Sequence, residues 1–283
     1  MFLNSYDVKA AYSFFRHPEA TPDNLQQAHR EMVMEQLHQA GRYLLIEDTS
    51  EMSWSGHDPI PGLGPIGPGT AGLQGFHLHS VLAVRWRWEA EATTRWPGRP
   101  SVEVLGLPAQ HYHVRAPRPA GEPANNSKVA KLRTRESQWW QQAGEEIGPA
   151  PADAPVEWTR VCDRGADIDE LLVSCTELNH RFLIRAAQDR CLTDEKGRVV
   201  QGKLFATVRT QAALGAFELE LRARPGQAAR TAQLQVSVVA VWLRAPQRPG
   251  KGPGYLPPVR CARPCACGKP RRRPVWRLWN GSC

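Results

Sequence analysis

Apolar positions in the first forty residues recur at helical spacing. Residues 10–15 form a short amphipathic run that His17-Pro18 ends, and Thr21-Pro22-Asp23 then supplies an N-cap, a proline at the first helical position and an acid in the first turn. Leu25, Ala28, Met32, Leu37 and Ala40 roughly follow a helical period, and Gly41 supplies a stop. The pattern then changes. Tyr43-Leu44-Leu45-Ile46 is a continuous apolar run, the signature of a strand covered on both faces, and it delivers Glu47-Asp48-Thr49 at its C-terminal end. Residues 76–86 and 102–114 read as further strands, the first with clear alternation, so three strands in succession predict an antiparallel meander. Residues 136–146 predict a helix carrying Trp139 and Trp140. A strand over 157–162 ends at Asp163, a helix containing Leu171 and Leu172 follows, and 181–185 form the next strand.

From Lys203 to Leu243 the chain is β-rich, and residues 217–221 and 233–236 alternate cleanly, so each has one face in water. These strands read as an inserted subdomain. Beyond Gly250 no periodicity survives, and a tail rich in Pro, Gly, Arg, Cys and Trp predicts no packed element. The expected organisation is an α/β chain with N-terminal helices over 1–41, a core over 42–190, a β-rich insertion over 191–249 and a disordered basic tail over 250–283.

Charge divides the chain at the same point. The 283 residues carry a net charge of +8, but eight Lys and Arg and no acid lie after Gly250, so residues 1–249 are neutral overall. Polyanion affinity inferred from composition alone therefore belongs to the tail. Cys162, Cys175 and Cys191 are scattered as reduced thiols of a cytosolic fold would be, whereas Cys261, Cys265, Cys267 and Cys283 crowd the tail. With no run of eighteen apolar residues and no basic start before an apolar stretch, neither a membrane span nor secretion is expected, and a cytoplasmic protein is.

Two aspartates, Asp48 and Asp163, close apolar strands. On neighbouring strands they would share a divalent cation, and paired Mg²⁺ ions suit in-line attack on a phosphodiester. An Asp at a strand end is equally a turn or cap residue, and Asp163 precedes a helix. The Gly/Pro-rich loop over 59–72 lacks the Gly-Lys-Ser/Thr ending of a phosphate-binding loop. His77 with His79, and His111 with His113, each lie on one strand face, without an evident third ligand. Trp139-Trp140 suits either base stacking or burial in a helix interface.

Several segments, in order, resemble one family. Ile46-Glu47-Asp48-Thr49-Ser50 resembles the first catalytic motif of the Asp-Asp-Glu transposases of the insertion-sequence-four family, and Val161-Cys162-Asp163-Arg164-Gly165-Ala166-Asp167-Ile168 resembles the second, with Gly165 in place of a usual Glu. Gly62-Leu63-Gly64-Pro65-Ile66 and Gly75-Phe76-His77-Leu78-His79-Ser80-Val81-Leu82 resemble the intervening loop and second strand. Ala10-Ala11-Tyr12-Ser13-Phe14-Phe15 resembles the segment ahead of the core, and His180-Arg181-Phe182-Leu183-Ile184-Arg185 the strand after the second motif. The resemblance implies a ribonuclease H-like core with a β-rich insertion, and cut-and-paste DNA transposition. It implies Mg²⁺ (or Mn²⁺) held by Asp48 and Asp163 as catalytic residues and phosphate contacts from Arg164, Arg185 and Arg190. The implied partners are double-stranded DNA, as transposon ends and target, and a second transposase copy as a homodimer or a heterodimer with an intact one. The implied place is the bacterial nucleoid.

The family's third motif, a Tyr, Arg, Glu and Lys along one helix, has no counterpart here, because no acid follows Glu220. Glu218 and Glu220 lie on an alternating strand pattern and read as a solvated face. The expectation is a transposase-family chain truncated at both ends and inactive in cleavage, with out-of-frame reading as the origin of the tail. The alternative is a non-catalytic DNA-binding or interfering protein of the same descent. The tail's Cys261-x3-Cys265-x-Cys267 lacks zinc-ribbon spacing.

Overall fold

The computed structural model describes residues 4–56, 58–67, 72–89, 99–116, 137–152, 155–244, 259–266 and 276–279. Helix α1 (Ser5–Phe15) begins where the Asn4 side chain accepts from the Asp7 amide at 3.0 Å. Helix α2 (Pro22–Leu37) begins with Pro22 and the Thr21 cap, as the sequence predicts. It stops at Leu37, short of Gly41. Its last carbonyls are taken by side chains of the strands that follow: Trp158 Nε1 donates to Leu37 O at 3.0 Å, and the Tyr43 hydroxyl lies 2.8 Å from Gln36 O.

Strand β1 (Gly41–Ser55) pairs antiparallel with β3 (Leu73–Glu89) along its length, and β3 pairs antiparallel with β4 (Arg99–His113), the expected meander. A two-residue strand β2 (Gly64–Pro65) adds to β3 at Gly75, where any side chain would collide with the Met52 carbonyl. The first half of β1 has a second neighbour: β5 (Val156–Cys162) runs parallel to it, and β6 (Arg181–Ala186) runs parallel to β5. The order across this part of the sheet is therefore β4-β3-β1-β5-β6.

Between these strands lie α3 (Ser137–Ile147), a 3-10 turn (Arg164–Ala166) and α4 (Asp169–Glu177). Burial along β1 alternates: Tyr43, Leu45 and Glu47 are buried, whereas Ile46 is 38% exposed. The expectation of a strand covered on both faces is thus corrected. Helices α2, α3 and α4 pack on the face that carries Tyr43 and Leu45, and no described helix covers the Ile46 face. Val33 and Leu37 of α2 and Ala143 and Ile147 of α3 close over Tyr43, Leu45, Val81 and Trp158. Trp139, Trp140, Leu171 and Leu172 close over Phe182 and Ile184.

The second half comprises β7 (Cys191–Thr193), β8 (Val199–Lys203), α5 (Leu204–Arg209), β9 (Gly215–Leu221) and β10 (Arg230–Leu243). Its base is continuous with the core, since Leu204, Val208, Val241 and Leu243 belong to the same buried cluster as Phe182. The expectation of a wholly unpacked tail over 250–283 also needs correction. Strand β11 (Val259–Ala266) pairs with β10, and β12 (Trp276–Trp279) bridges β11 to β6. Strand pairing uses backbone groups, so two open strand edges recruit a segment whose side chains carry no apolar period. The rest of 250–283, including Cys267 and Arg271 to Arg273, lies outside the described residues. The chain is a mixed α/β protein on one mixed sheet, and no described helix is long and apolar enough to cross a membrane.

Val259 is only 1% exposed and packs in the Phe182 cluster. Val259→Ala is expected to cost about 2 kcal/mol in urea unfolding, and an unchanged midpoint would mean that β11 is not part of the folded sheet.

Candidate functional site

Parallel pairing between β1 and β5 runs from Gly41↔Val156 to Glu47↔Cys162 and then ends. The next residue on each strand is Asp48 on one and Asp163 on the other. Neighbouring strands stand about 4.8 Å apart, so the register brings the two sequence-predicted aspartates side by side at one level, both exposed. Asp48 does not end its strand, because β1 continues against β3 with Asp48 opposite Ser80. Asp163 does leave the sheet. Its Oδ1 accepts from Gly165 N at 2.7 Å and caps the 3-10 turn, so the capping role is present. Asp48 Oδ1 accepts from Thr49 N at 2.8 Å. A side chain at position 165 would bring its Cβ within 3.0 Å of Asp163 Oδ1 and 3.3 Å of Trp140, so Gly165 is suited to this tight turn.

The three arginines expected at DNA separate. Arg164 is exposed beside Asp163, and Arg185 is exposed on β6. Arg190 is turned inward and 9% exposed, which corrects its expected role at the surface. Its Nε and NH2 donate to Asp167 Oδ1 at 3.1 and 2.8 Å, and it also pairs with Asp169. Asp167, itself 2% exposed, accepts from the Ala187 and Gln188 amides at 2.7 and 2.8 Å. This clamp fastens the turn after β5 to the loop after β6 and consumes the charge that would meet a phosphate.

Beneath the aspartates lies an ion pair that sequence reading missed. Glu47 and Arg160 have fully buried side chains. Arg160 Nε and NH2 donate to the two oxygens of Glu47, the latter at 2.6 Å, and NH2 also donates to the Trp140 carbonyl at 2.5 Å. Burial pushes the Glu47 carboxyl up, but the guanidinium outweighs it and holds the group below its ordinary value. Burial pulls Arg160 down and Glu47 more than reverses it. The Cys162 and Cys175 thiols, buried alongside, are pushed up, Cys175 to about 12, so neither is a ready nucleophile near neutral pH. The available signal was a charged residue at an inward position of each strand's alternation.

The histidines form a layer rather than two separate pairs. Register sets His77 opposite His113 and His79 opposite His111 on the covered face of the sheet. Trp139 stacks on His113 at 4.2 Å and 6°, and His79 packs 4.8 Å from Trp140, so the indoles are buried in the helix–sheet interface. Around the layer stand Glu47, 3.6 Å from His79 Nε2; Glu51, 3.7 Å from His77 Nε2; and Glu146, 2.8 Å from His111 Nε2 and 2.6 Å from Arg30. Thr49 bonds His79 Nδ1 at 2.8 Å. Among the described residues, no three His, Cys, Asp or Glu side chains gather in positions able to hold a metal ion. Comparison with family models and with curated proteins finds no match to this chain.

Burial, then the neighbouring imidazoles, lower His113 to about 4, and burial with Arg160 lowers His180 to about 4. Both folded values lie below the unfolded one of 6.5. The unfolded chain therefore binds more protons between pH 6.5 and 4, and stability present above that window is lost as pH falls through it. His113→Phe should preserve the stack on Trp139 and flatten this acid loss, read as urea midpoints at neutral and acid pH; an equally steep loss would exclude His113 as a source. Arg160→Met strands a buried carboxylate and should cost about 3–5 kcal/mol. Adding Glu47→Leu should recover most of that loss, and a double variant as unstable as the single one would show that the pairing is not what is lost.

Proposed function

We propose that this chain is a transposase-family protein of the insertion-sequence-four type, with a ribonuclease H-like core that carries Asp48 and Asp163 as ligands of a divalent cation. The observation that supports this best is the parallel register of β1 and β5, which sets those two residues side by side. The strand order β4-β3-β1-β5-β6 supports it as well: an antiparallel meander extended, beyond its first strand, by two strands parallel to that strand. The three-strand meander in it is the part that the sequence pattern predicts.

The residues fit the ion in kind. Two exposed carboxylates offer the hard oxygen donors that Mg²⁺ or Mn²⁺ takes while keeping several waters. Such an ion supplies charge stabilisation to an attacking or leaving oxygen of a phosphodiester. Asp48 and Asp163 contribute a fixed pair of donors, Asp163 oriented by the Gly165 amide and Asp48 by the Thr49 amide. Arg164 stands next to them as the nearest exposed cation in sequence, suited to a DNA phosphate.

This copy binds DNA without completing strand cleavage. No acidic residue follows Glu220, and Glu218 and Glu220 are exposed on β9, with Glu218 accepting a hydrogen bond from Gln233. Within these 283 residues the third carboxylate that the resemblance implies has no counterpart, which favours a DNA-binding or interfering role, including pairing with an intact copy.

The test joins ion binding to cleavage. Mn²⁺ binding followed by electron paramagnetic resonance should weaken at least tenfold in Asp48→Ala and in Asp163→Ala, while cutting of a transposon-end duplex stays at background in the unmodified chain. No Mn²⁺ effect of either substitution would remove the metal reading, and robust cutting lost in Asp48→Ala would remove the inactive one.

A further inference from the structure

The outer end of the β9–β10 hairpin is not accounted for by packing. The two strands pair from Gly215↔Val236 to Leu221↔Arg230. No residue of β9 is buried, and between Arg230 and Val236 only Ala232 is. The tip is nevertheless well defined. Arg224 and Gln227 exchange both backbone hydrogen bonds, at 2.9 and 2.8 Å, around Pro225-Gly226. Proline presets the first central residue of such a turn, and Gly226, at φ +73°, takes the left-handed conformation of the second. Among the described residues β11 pairs with β10 only from Leu234 onward, so the end of the hairpin beyond that point is a two-stranded ribbon with little apolar cargo.

Its chemistry is concentrated at the end. Arg222, Arg224 and Arg230 are all exposed, and no acidic residue occurs from Leu221 to Arg244. Because Leu221 lies opposite Arg230, those two share a face, and Arg222, one residue on, leaves by the other. Arg224 sits in the turn between them. The nearest acids are Glu220, set back opposite Thr231, and Glu218, which holds Gln233. Three arginines therefore lie around the tip of a narrow ribbon, on both faces and at the turn.

We propose that this tip is a docking arm for duplex DNA, seated in a groove with its arginines on the flanking phosphates. A major groove about 12 Å wide admits a two-stranded ribbon, whereas the deep, narrow major groove of A-form RNA does not. The preference for nucleic acid over another polyanion rests on the function proposed above; the geometry of the arm does not. A pre-formed tip loses little entropy on binding, and arginine suits phosphate through its planar fork of donors.

The experiment is fluorescence anisotropy with the full chain, a generic DNA duplex and the matching RNA duplex, over a salt series without divalent ions. The unmodified chain should bind DNA more tightly than RNA. The Arg222→Gln/Arg224→Gln/Arg230→Gln variant should bind DNA at least tenfold more weakly, with the slope of log affinity against log salt reduced by about 2–3. Lysine at the three positions should restore the slope, and because these side chains are exposed the thermal midpoint should not move. An unaltered slope in the glutamine variant, or equal binding of RNA, overturns the proposal, as does equal loss on heparin, which would mark a general polyanion surface. Without divalent ions no cleavage is read, so this result and the one on Asp48 and Asp163 stand or fall separately.

Discussion

The buried pairing of Arg160 with Glu47 draws on four elements of the fold at once. Arg160 comes from β5, its carboxylate partner from β1, its carbonyl partner from Trp140 in α3, and the Cys175 sulfur in α4 lies 4.0 Å from NH1. Two parallel strands and two covering helices thus meet at one guanidinium. Desolvating both charges is costly, and a well-packed apolar pair at the same place is often as stable or more so. What the ion pair provides is discrimination: a one-residue slip of β5 against β1 would turn Arg160 to the opposite face and leave Glu47 buried alone. Asp48 follows Glu47 directly and Asp163 lies three residues after Arg160, so the register held by this pair is also the register that sets the two aspartates side by side.

The sheet separates two kinds of chemistry by its pleat. Inward positions of β1, β3, β4 and β5 carry Glu47, His77, His79, His111, His113 and Arg160, a polar layer under α3 and its two indoles. Outward positions carry Ile46 and Asp48 on the face that no described helix covers. Within this layer His113, held low by burial, makes the packing sensitive to protons, whereas the aspartates are exposed. The loop carrying Asp163 is held from the other side by Asp167 and Arg190, so ion pairs flank the candidate site both beneath it and alongside.

Much of the local structure was legible from the chain. The Thr21-Pro22 helix start, the meander, the Trp139-Trp140 helix and the two aspartates at the ends of apolar runs all follow from short-range pattern, because caps and strand alternation are set by neighbours in sequence. The same logic misjudged three places. Arg190 reads as a surface cation, but its partners Asp167 and Asp169 come from more than twenty residues away. The two histidine pairs read as separate motifs, although cross-strand register merges them. Residues 259–266 and 276–279 carry no period that would announce a strand, and they are placed by the open edges of β10 and β6.

By itself, then, the sequence determined where helices start, which stretches alternate, and that Asp48 and Asp163 are the pair to examine. Its neutral first 249 residues and the absence of an acid after Glu220 are equally matters of sequence. Only the tertiary structure decided that β1 and β5 are parallel neighbours whose pairing ends at Glu47 and Cys162, that Arg190 faces inward, and that the arginines at the tip of β9 and β10 are exposed. The physical reason is one of range. Backbone propensity and capping act within a turn or two of chain, whereas register, burial of charge and exposure of a surface depend on which distant segments share a layer.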